Sequence, residues 1–257
     1  MEHGEARNPT ESVGQEPGRG AAVLRVLLLA GSVPALLAPL APAVLHAVSP
    51  PFPGKWVATA GLTLAFGEKV WAMFARMPGR LLRPAQGDWT AVTVLYANIA
   101  VGYIALLDFY LWVQSVSWLL AGLSAAAMAA SAGLRHWALG TLGSQWNVHV
   151  DTTQGERRLV TSGPYRLLRH PMYLAACVET PALGVALCSP VALLLALIVF
   201  VPAEVHRAYF EEGQLRRLFG GPYGEYARRT WGFLPVGPLW RAKSASRTDG
   251  AEKRPRA

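Results

Sequence analysis

Two stretches of this 257-residue chain concentrate the side chains that do chemistry. The first, "LVTSGPYRLLRHPMY" at 159–173, sets Tyr165, Arg166, Arg169, His170 and Tyr173 among a glycine and two prolines. Gly163-Pro164 favours a turn and Pro171 disfavours helical backbone at His170, so the side chains between them are held in few arrangements. Arg166 and Arg169, three residues apart, share a face if the stretch forms a helical turn. The second stretch, "EVHRAYFEEGQLRRLFGGPYGEYARR" at 204–229, spaces Arg207 and Glu211 four apart, where they can pair along a helix. Glu212 then points elsewhere, and its carboxylate can accept hydrogen bonds from a ribose or an amino group. Arg207 can clamp a carboxylate or balance a negatively charged substrate. Taken singly, each stretch equally suits lipid headgroups and an interfacial amphipathic helix.

The elements that must position these stretches are apolar. Hydrophobic residues make up 52% of the chain and charged residues 16%, against roughly 25% charged in an ordinary soluble domain. Asp, Glu, Lys and Arg are absent from 26–54, 89–107, 109–134 and 180–203, and about 20 apolar residues suffice to cross a bilayer. A soluble enzyme can bury one such helix, hardly four. The first run differs from a signal peptide, because a polar stretch precedes it and apolar character continues far down the chain. Cys177 and Cys188 sit in apolar sequence, offer neither a disulfide framework nor metal-ligand spacing, and read as packing residues. Much of the net charge of +8 lies in the tail 241–257. Such a tail marks the cytoplasmic side or meets anionic lipid, and no nucleic-acid motif accompanies it.

The chain divides into a disordered polar leader (1–20), N-terminal membrane helices (21–134), a core with a helical hairpin (135–235) and a basic flexible tail (236–257). Six spans are expected, at about 22–46, 56–75, 90–111, 114–134, 172–187 and 190–209. Pro34, Pro39 and Pro42 should kink the first, and Glu68 and Lys69 interrupt the second. The last two form a tight hairpin at Ser189-Pro190. With a cytoplasmic N-terminus, Arg76, Arg80, Arg83, Arg135, Arg157, Arg158, Arg166 and Arg169 all fall inside, while the opposite connections offer only Lys55. That asymmetry predicts six crossings with both termini cytoplasmic. The fold class is therefore all-α: a polytopic membrane protein of about six transmembrane helices (five to seven) with its chemistry at the cytoplasmic face. Glu68, Asp108 and Glu179, costly in lipid, should line an acceptor tunnel or pair between helices.

An apolar helix, "RRLVTSGPYRLLRHPMY", an apolar hairpin and "RAYFEEGQLRRLFGGPYGEY" together resemble the integral-membrane methyltransferases of the isoprenylcysteine carboxyl methyltransferase family and their phospholipid-methylating relatives. The resemblance covers about 130–235. The family's GPYxxxRHPxY pattern falls on Gly163, Pro164, Tyr165, Arg169, His170, Pro171 and Tyr173. Its EExxLxxxFGxxYxxY pattern falls on Glu211, Glu212, Leu215, Phe219, Gly220, Tyr223 and Tyr226.

This resemblance implies S-adenosyl-L-methionine as cofactor, bound by Tyr165, Arg169, His170, Tyr173 and Glu212, with Arg207 and Glu211 on the catalytic side and no metal. It implies methyl transfer to a lipophilic small molecule or lipid, such as an isoprenoid or prenyl-thioether carboxylate. A phenolic lipid, quinone, thiol or phospholipid amine is the alternative acceptor, and a non-catalytic scaffold or transporter the alternative class. A carboxylate needs no strong base, whereas a phenol or thiol gains from one; His149 and His206 are the nearest histidines, with His46 and His136 weaker. The missing G-x-G-x-x-G after a strand disfavours a Rossmann methyltransferase. Ala, Gly and Pro usage points to a bacterial cytoplasmic membrane.

Overall fold

The structure, a computed structural model, describes residues 19–74, 89–143 and 158–233. Most of the leader, the loop arginines Arg76, Arg80, Arg83 and Arg157, His149 and the basic tail lie outside the described residues.

Every regular element described is helical. In chain order they are α1 (Arg19–Leu37), α2 (Ala41–Val48), α3 (Lys55–Phe74), α4 (Trp89–Leu107), α5 (Trp118–Leu142), α6 (Pro171–Ala186), α7 (Pro190–Leu195), α8 (Val201–Phe219) and α9 (Gly221–Arg229). By length and composition, four continuous rods can cross a membrane: Ala22–Val48, Trp89–Val113, Trp118–Leu142 and Pro190–Phe219. α3 and the 16-residue α6 are the other two expected spans. Large apolar side chains face outward on several helices, among them Val26 (64% exposed), Leu64 (74%), Leu119 (72%) and Leu194 (57%). A belt of that kind in water would be an aggregation surface, and it fits acyl chains.

The first span is kinked, as its prolines predict. A 3₁₀ turn, Ala38–Leu40, separates α1 from α2 where Pro39 and Pro42 remove backbone donors. The Tyr103 hydroxyl donates to the carbonyl of Pro34 inside α1 at 2.9 Å, and that of Tyr96 to Leu27 at 3.0 Å. α5 continues eight residues beyond the expected end at 134, so the boundary drawn at 134/135 falls inside a helix. Arg135 did not stop the helix because it is compensated: it pairs with Glu179 of α6 and, at 2.5 Å, with Glu68 of α3, while Lys69 lies 3.4 Å from Glu179 and His136 2.7 Å from Glu68. Of the two roles open to Glu68 and Glu179, the structure shows pairing between helices. The last span also runs ten residues further than its expected end at 209, to Phe219. Pro202 has no N–H for the ladder, and the rod passes it through a π turn at Ala196–Phe200.

The α6–α7 hairpin turns in three residues. Ser189 Oγ accepts from Ala192 N at 3.2 Å, capping α7, and donates to Asp108, the first residue of the π turn that extends α4, which fixes the third intramembrane carboxylate at the hairpin tip. Phe109, Tyr110, Leu187, Ala192 and Phe200 pack around it in the main core. The two helices approach closely at Gly184, where an added Cβ would lie 2.8 Å from the backbone N and 2.9 Å from the Cα of Leu193. Gly184→Ala should therefore destabilise the hairpin by about 1–3 kcal/mol, the usual cost of overpacking, read as a lowered melting temperature of the purified protein in nanodiscs; an unchanged value would contradict this packing.

Candidate functional site

The loop before α6 is shaped by its glycine and prolines. Gly163 has φ +56°, and a Cβ there would fall 2.4 Å from Thr141 Oγ1 of α5, so the turn is pressed onto that helix. A 3₁₀ turn, Gly163–Arg166, follows, and His170 has non-helical backbone immediately before Pro171 opens α6. Arg166 is turned outward, and Arg169 and His170 are buried (6% and 4% exposed).

A second segment closes over this loop. After α9 the chain runs alongside it, with Trp231 N donating to Leu167 O (2.9 Å), Arg169 N to Trp231 O (2.7 Å) and His170 N to Gly232 O (3.2 Å). The Tyr226 hydroxyl donates to Tyr165 O at 2.8 Å. The Arg169 guanidinium completes the clasp: Nη1 donates to the carbonyls of Ala227 (2.8 Å) and Thr230 (2.7 Å), and Nε to Glu212 Oε1 (2.7 Å). The same Glu212 oxygen accepts from His170 Nε2 at 3.2 Å. A carboxylate has no proton to give, so its position fixes the proton on Nε2 of that ring. His170 Nδ1 lies 3.9 Å from Glu211 Oε2, and its ring stacks on Tyr173 with centroids 5.5 Å apart. Arg207 reaches Thr90 of α4 at 3.1 Å and sits 5.9 Å above the Tyr173 ring.

These groups border one cavity of about 340 Å³. Tyr165, Arg169, His170, Phe219, Tyr223 and Tyr226 supply a polar and aromatic part of its lining. Leu28, Ala91, Val94 and Leu95 of α1 and α4 supply an apolar part, and Lys69, Asn98 and Arg135 add polar and charged groups. Tyr173, Glu204, Arg207 and Glu211 lie along the wall that α6 and α8 contribute. Of the seven residues selected from sequence, six line the cavity; Glu212 does not, being occupied behind the wall by Arg169 and His170. Arg207 and Glu211, expected to pair along one helix, each reach a partner on another element. Sequence reasoning passed over Glu204, although it stands three residues before Arg207 and so on the same helical face. It also left Tyr223 and Tyr226 as motif positions without a role.

Burial raises the phenols outside the spanning helices. Tyr226 is pushed up to about 12, and Tyr165 and Tyr223 are raised further, by desolvation first and then by nearby Glu211 and Glu212. They stay neutral hydroxyls over the physiological range. The Tyr223 hydroxyl is buried without a hydrogen-bond partner among the described residues.

The described residues form a helical membrane fold with a buried aromatic and charged cavity beside its last long helix, and known proteins share parts of it. Residues 123–217 match the model of the isoprenylcysteine carboxyl methyltransferase (ICMT) family. The match ends inside α8, before Phe219, Tyr223 and Tyr226. The chain is 31% identical over 103 residues to protein-S-isoprenylcysteine O-methyltransferase B of Arabidopsis thaliana, covering 40% of this chain and 52% of that one. It is 34% identical over 115 residues to the cobalt-zinc-cadmium resistance protein CzcN of Cupriavidus metallidurans, covering 44% and 51%. The chain thus spans about half the length of the curated relatives it matches. In structure it resembles a eukaryotic intramembrane Ras methyltransferase ICMT, with TM-score 0.54 and 19% identity over 84% of this chain and 76% of that one, a likeness of fold.

The tyrosines give a pH test. A phenol whose folded pKa is raised stabilises the fold fully below the unfolded value near 10 and loses that contribution as pH climbs through the folded value. Spectrophotometric titration of wild type and Tyr226→Phe should differ by a phenolate step near pH 12; a difference near pH 10 would contradict the burial.

Proposed function

We propose that this chain is a membrane methyltransferase that takes its methyl group from S-adenosyl-L-methionine and delivers it to a lipophilic acceptor. One observation carries the reading: a single cavity joins the clasp of Tyr165, His170, Glu211 and Tyr226 to an apolar wall on α1 and α4. A polar cofactor and a lipid tail therefore have adjoining, chemically different places.

The residues present fit that cofactor. The unpartnered Tyr223 hydroxyl offers a donor, and Glu211 offers a carboxylate to an amino group or ribose. Tyr165 and Tyr226 offer ring faces to a cation. When bound, the cofactor supplies a methyl group on a positively charged sulfur. The chain's own contribution is placement and exclusion of water, since holding two reactants in line removes most of the entropic barrier of a displacement. Arg169 and His170, tied to Glu212, keep the cavity wall rigid. Arg207, braced on Thr90 and Tyr173, faces the acceptor side with its charge. Glu212 acts from behind the wall, as the group that orients Arg169 and His170. The basic residues of the loops in the sequence support a cytoplasmic position for this face.

The names of the curated relatives make a prenylcysteine carboxylate one acceptor to try. The reading is tested by incubating nanodisc-embedded protein with methyl-tritiated S-adenosyl-L-methionine and a bacterial lipid extract. Wild type should transfer label into the organic phase, and His170→Ala should reduce the rate at least a hundredfold. Equal rates in both, or no transfer, would contradict it.

A further inference from the structure

A buried carboxyl group remains for which the clasp has no use. Glu204 is 4% exposed, lines the cavity, and its Oε2 is buried with no hydrogen-bond partner among the described residues. Leaving such an acceptor unsatisfied costs about 1–3 kcal/mol, more when charged, so a donor is owed from the cavity side. Two turns of α8 separate Glu204 from Glu211, about 10 Å at 1.5 Å per residue. Glu204 therefore lies in α8 one turn after Phe200, the last residue of the π turn, and away from the clasp.

The other candidates for proton acceptor are engaged elsewhere. His170 gives its Nε2 proton to Glu212. His46 is bonded to Thr59 and His136 to Glu68, and His206 is exposed on the opposite side of α8 from the cavity residues Glu204 and Arg207. Tyr165, Tyr223 and Tyr226 keep their protons far above neutrality. The basic atom left on His170, Nδ1, is turned toward Glu211 in the clasp at 3.9 Å, two turns of α8 away from Glu204.

We infer that Glu204 receives the reacting head group of the acceptor and that this head group is protic, a phenol, alcohol or thiol on an apolar tail. An ionised carboxylate has only lone pairs to present, so Glu204 could meet it only as the neutral acid, and it has no proton to give up when methylated. A protic group supplies the missing donor. In the reaction, Glu204 takes the proton that the head group loses as its oxygen or sulfur bonds to the methyl carbon. The electron pair of the broken sulfur–carbon bond stays on the cofactor's sulfur, which departs as a neutral thioether. Arg207, one turn along the same face, balances the charge that gathers on the acceptor atom, and Lys69 lies on the facing wall.

This rests on the methyltransferase reading, and the test separates the two. Wild type and Glu204→Gln, in nanodiscs, are titrated with S-adenosyl-L-methionine by calorimetry. They are then assayed with 4-nonylphenol, dodecanethiol and an S-farnesylated N-acetylcysteine as methyl acceptors. Melting temperature is also followed with 4-nonylphenol alone. Expected is cofactor affinity within twofold between the two proteins. The nonylphenol or dodecanethiol should be methylated by wild type at least a hundredfold faster than by Glu204→Gln, the deficit with nonylphenol narrowing as pH approaches 10. Nonylphenol should also raise the melting temperature of wild type more than that of Glu204→Gln, as differential binding requires. The proposal is overturned if Glu204→Gln keeps the wild-type rate, if wild type binds cofactor yet methylates only the farnesylcysteine carboxylate or no probe, or if Glu204→Gln loses the cofactor instead. Wild type that binds no cofactor at all would sink the methyltransferase reading and this inference with it.

Discussion

The site depends on one buried carboxylate. Glu212 lies behind the cavity wall, and its Oε1 accepts from both Arg169 and His170. Through Arg169 the same contact extends to the carbonyls of Ala227 and Thr230, so one side chain joins α8, the loop before α6 and the segment after α9. Removing one partner of a buried, hydrogen-bonded ion pair commonly costs about 3–5 kcal/mol, because the other charge is left without compensation. The cavity has its polar and aromatic lining only while these three pieces are held together. A guanidinium suits this because its planar fork serves several acceptors at once, which an ammonium does not.

The membrane imposes the rest. Charges on the spans are tolerated because they are matched across helices: Arg135 with Glu68 and Glu179, Lys69 with Glu179, Asp108 with Ser189. Each match also fixes a helix interface, so the ionic cluster and the hairpin tip set the frame in which α5, α6 and α8 meet. The last rod, from Pro190 to Phe219, carries the chain from lipid-facing Leu194 past Glu204 and Arg207 to Glu212. Its π turn lets the helix pass Pro202 just before the cavity residues begin.

Much of this was legible in the sequence, for identifiable reasons. Apolar runs without charge gave the helices, and Ser189-Pro190 gave the hairpin, because both are local signals. The turn at Gly163-Pro164 and the break before Pro171 were readable from backbone sterics alone. One helix end was misjudged where a charge was taken as a stop: α5 continues through Arg135 to Leu142, and partners on α3 and α6 compensate that charge. The division of labour between adjacent glutamates also escaped sequence reasoning. Glu211 lines the cavity and Glu212 does not, and only the position of Arg169 decides which is which. Spacing from Arg207 put Glu204 on the same helical face, but its distinction, a buried oxygen without a partner among the described residues, shows only in the structure.

The most direct measurement is calorimetric titration of nanodisc-embedded wild type and Glu212→Gln with S-adenosyl-L-methionine. The clasp predicts saturable binding by wild type and an affinity at least tenfold weaker in Glu212→Gln, although that residue does not line the cavity. Wild type without binding, or equal affinity in the two proteins, would contradict the claim that this buried carboxylate builds the site.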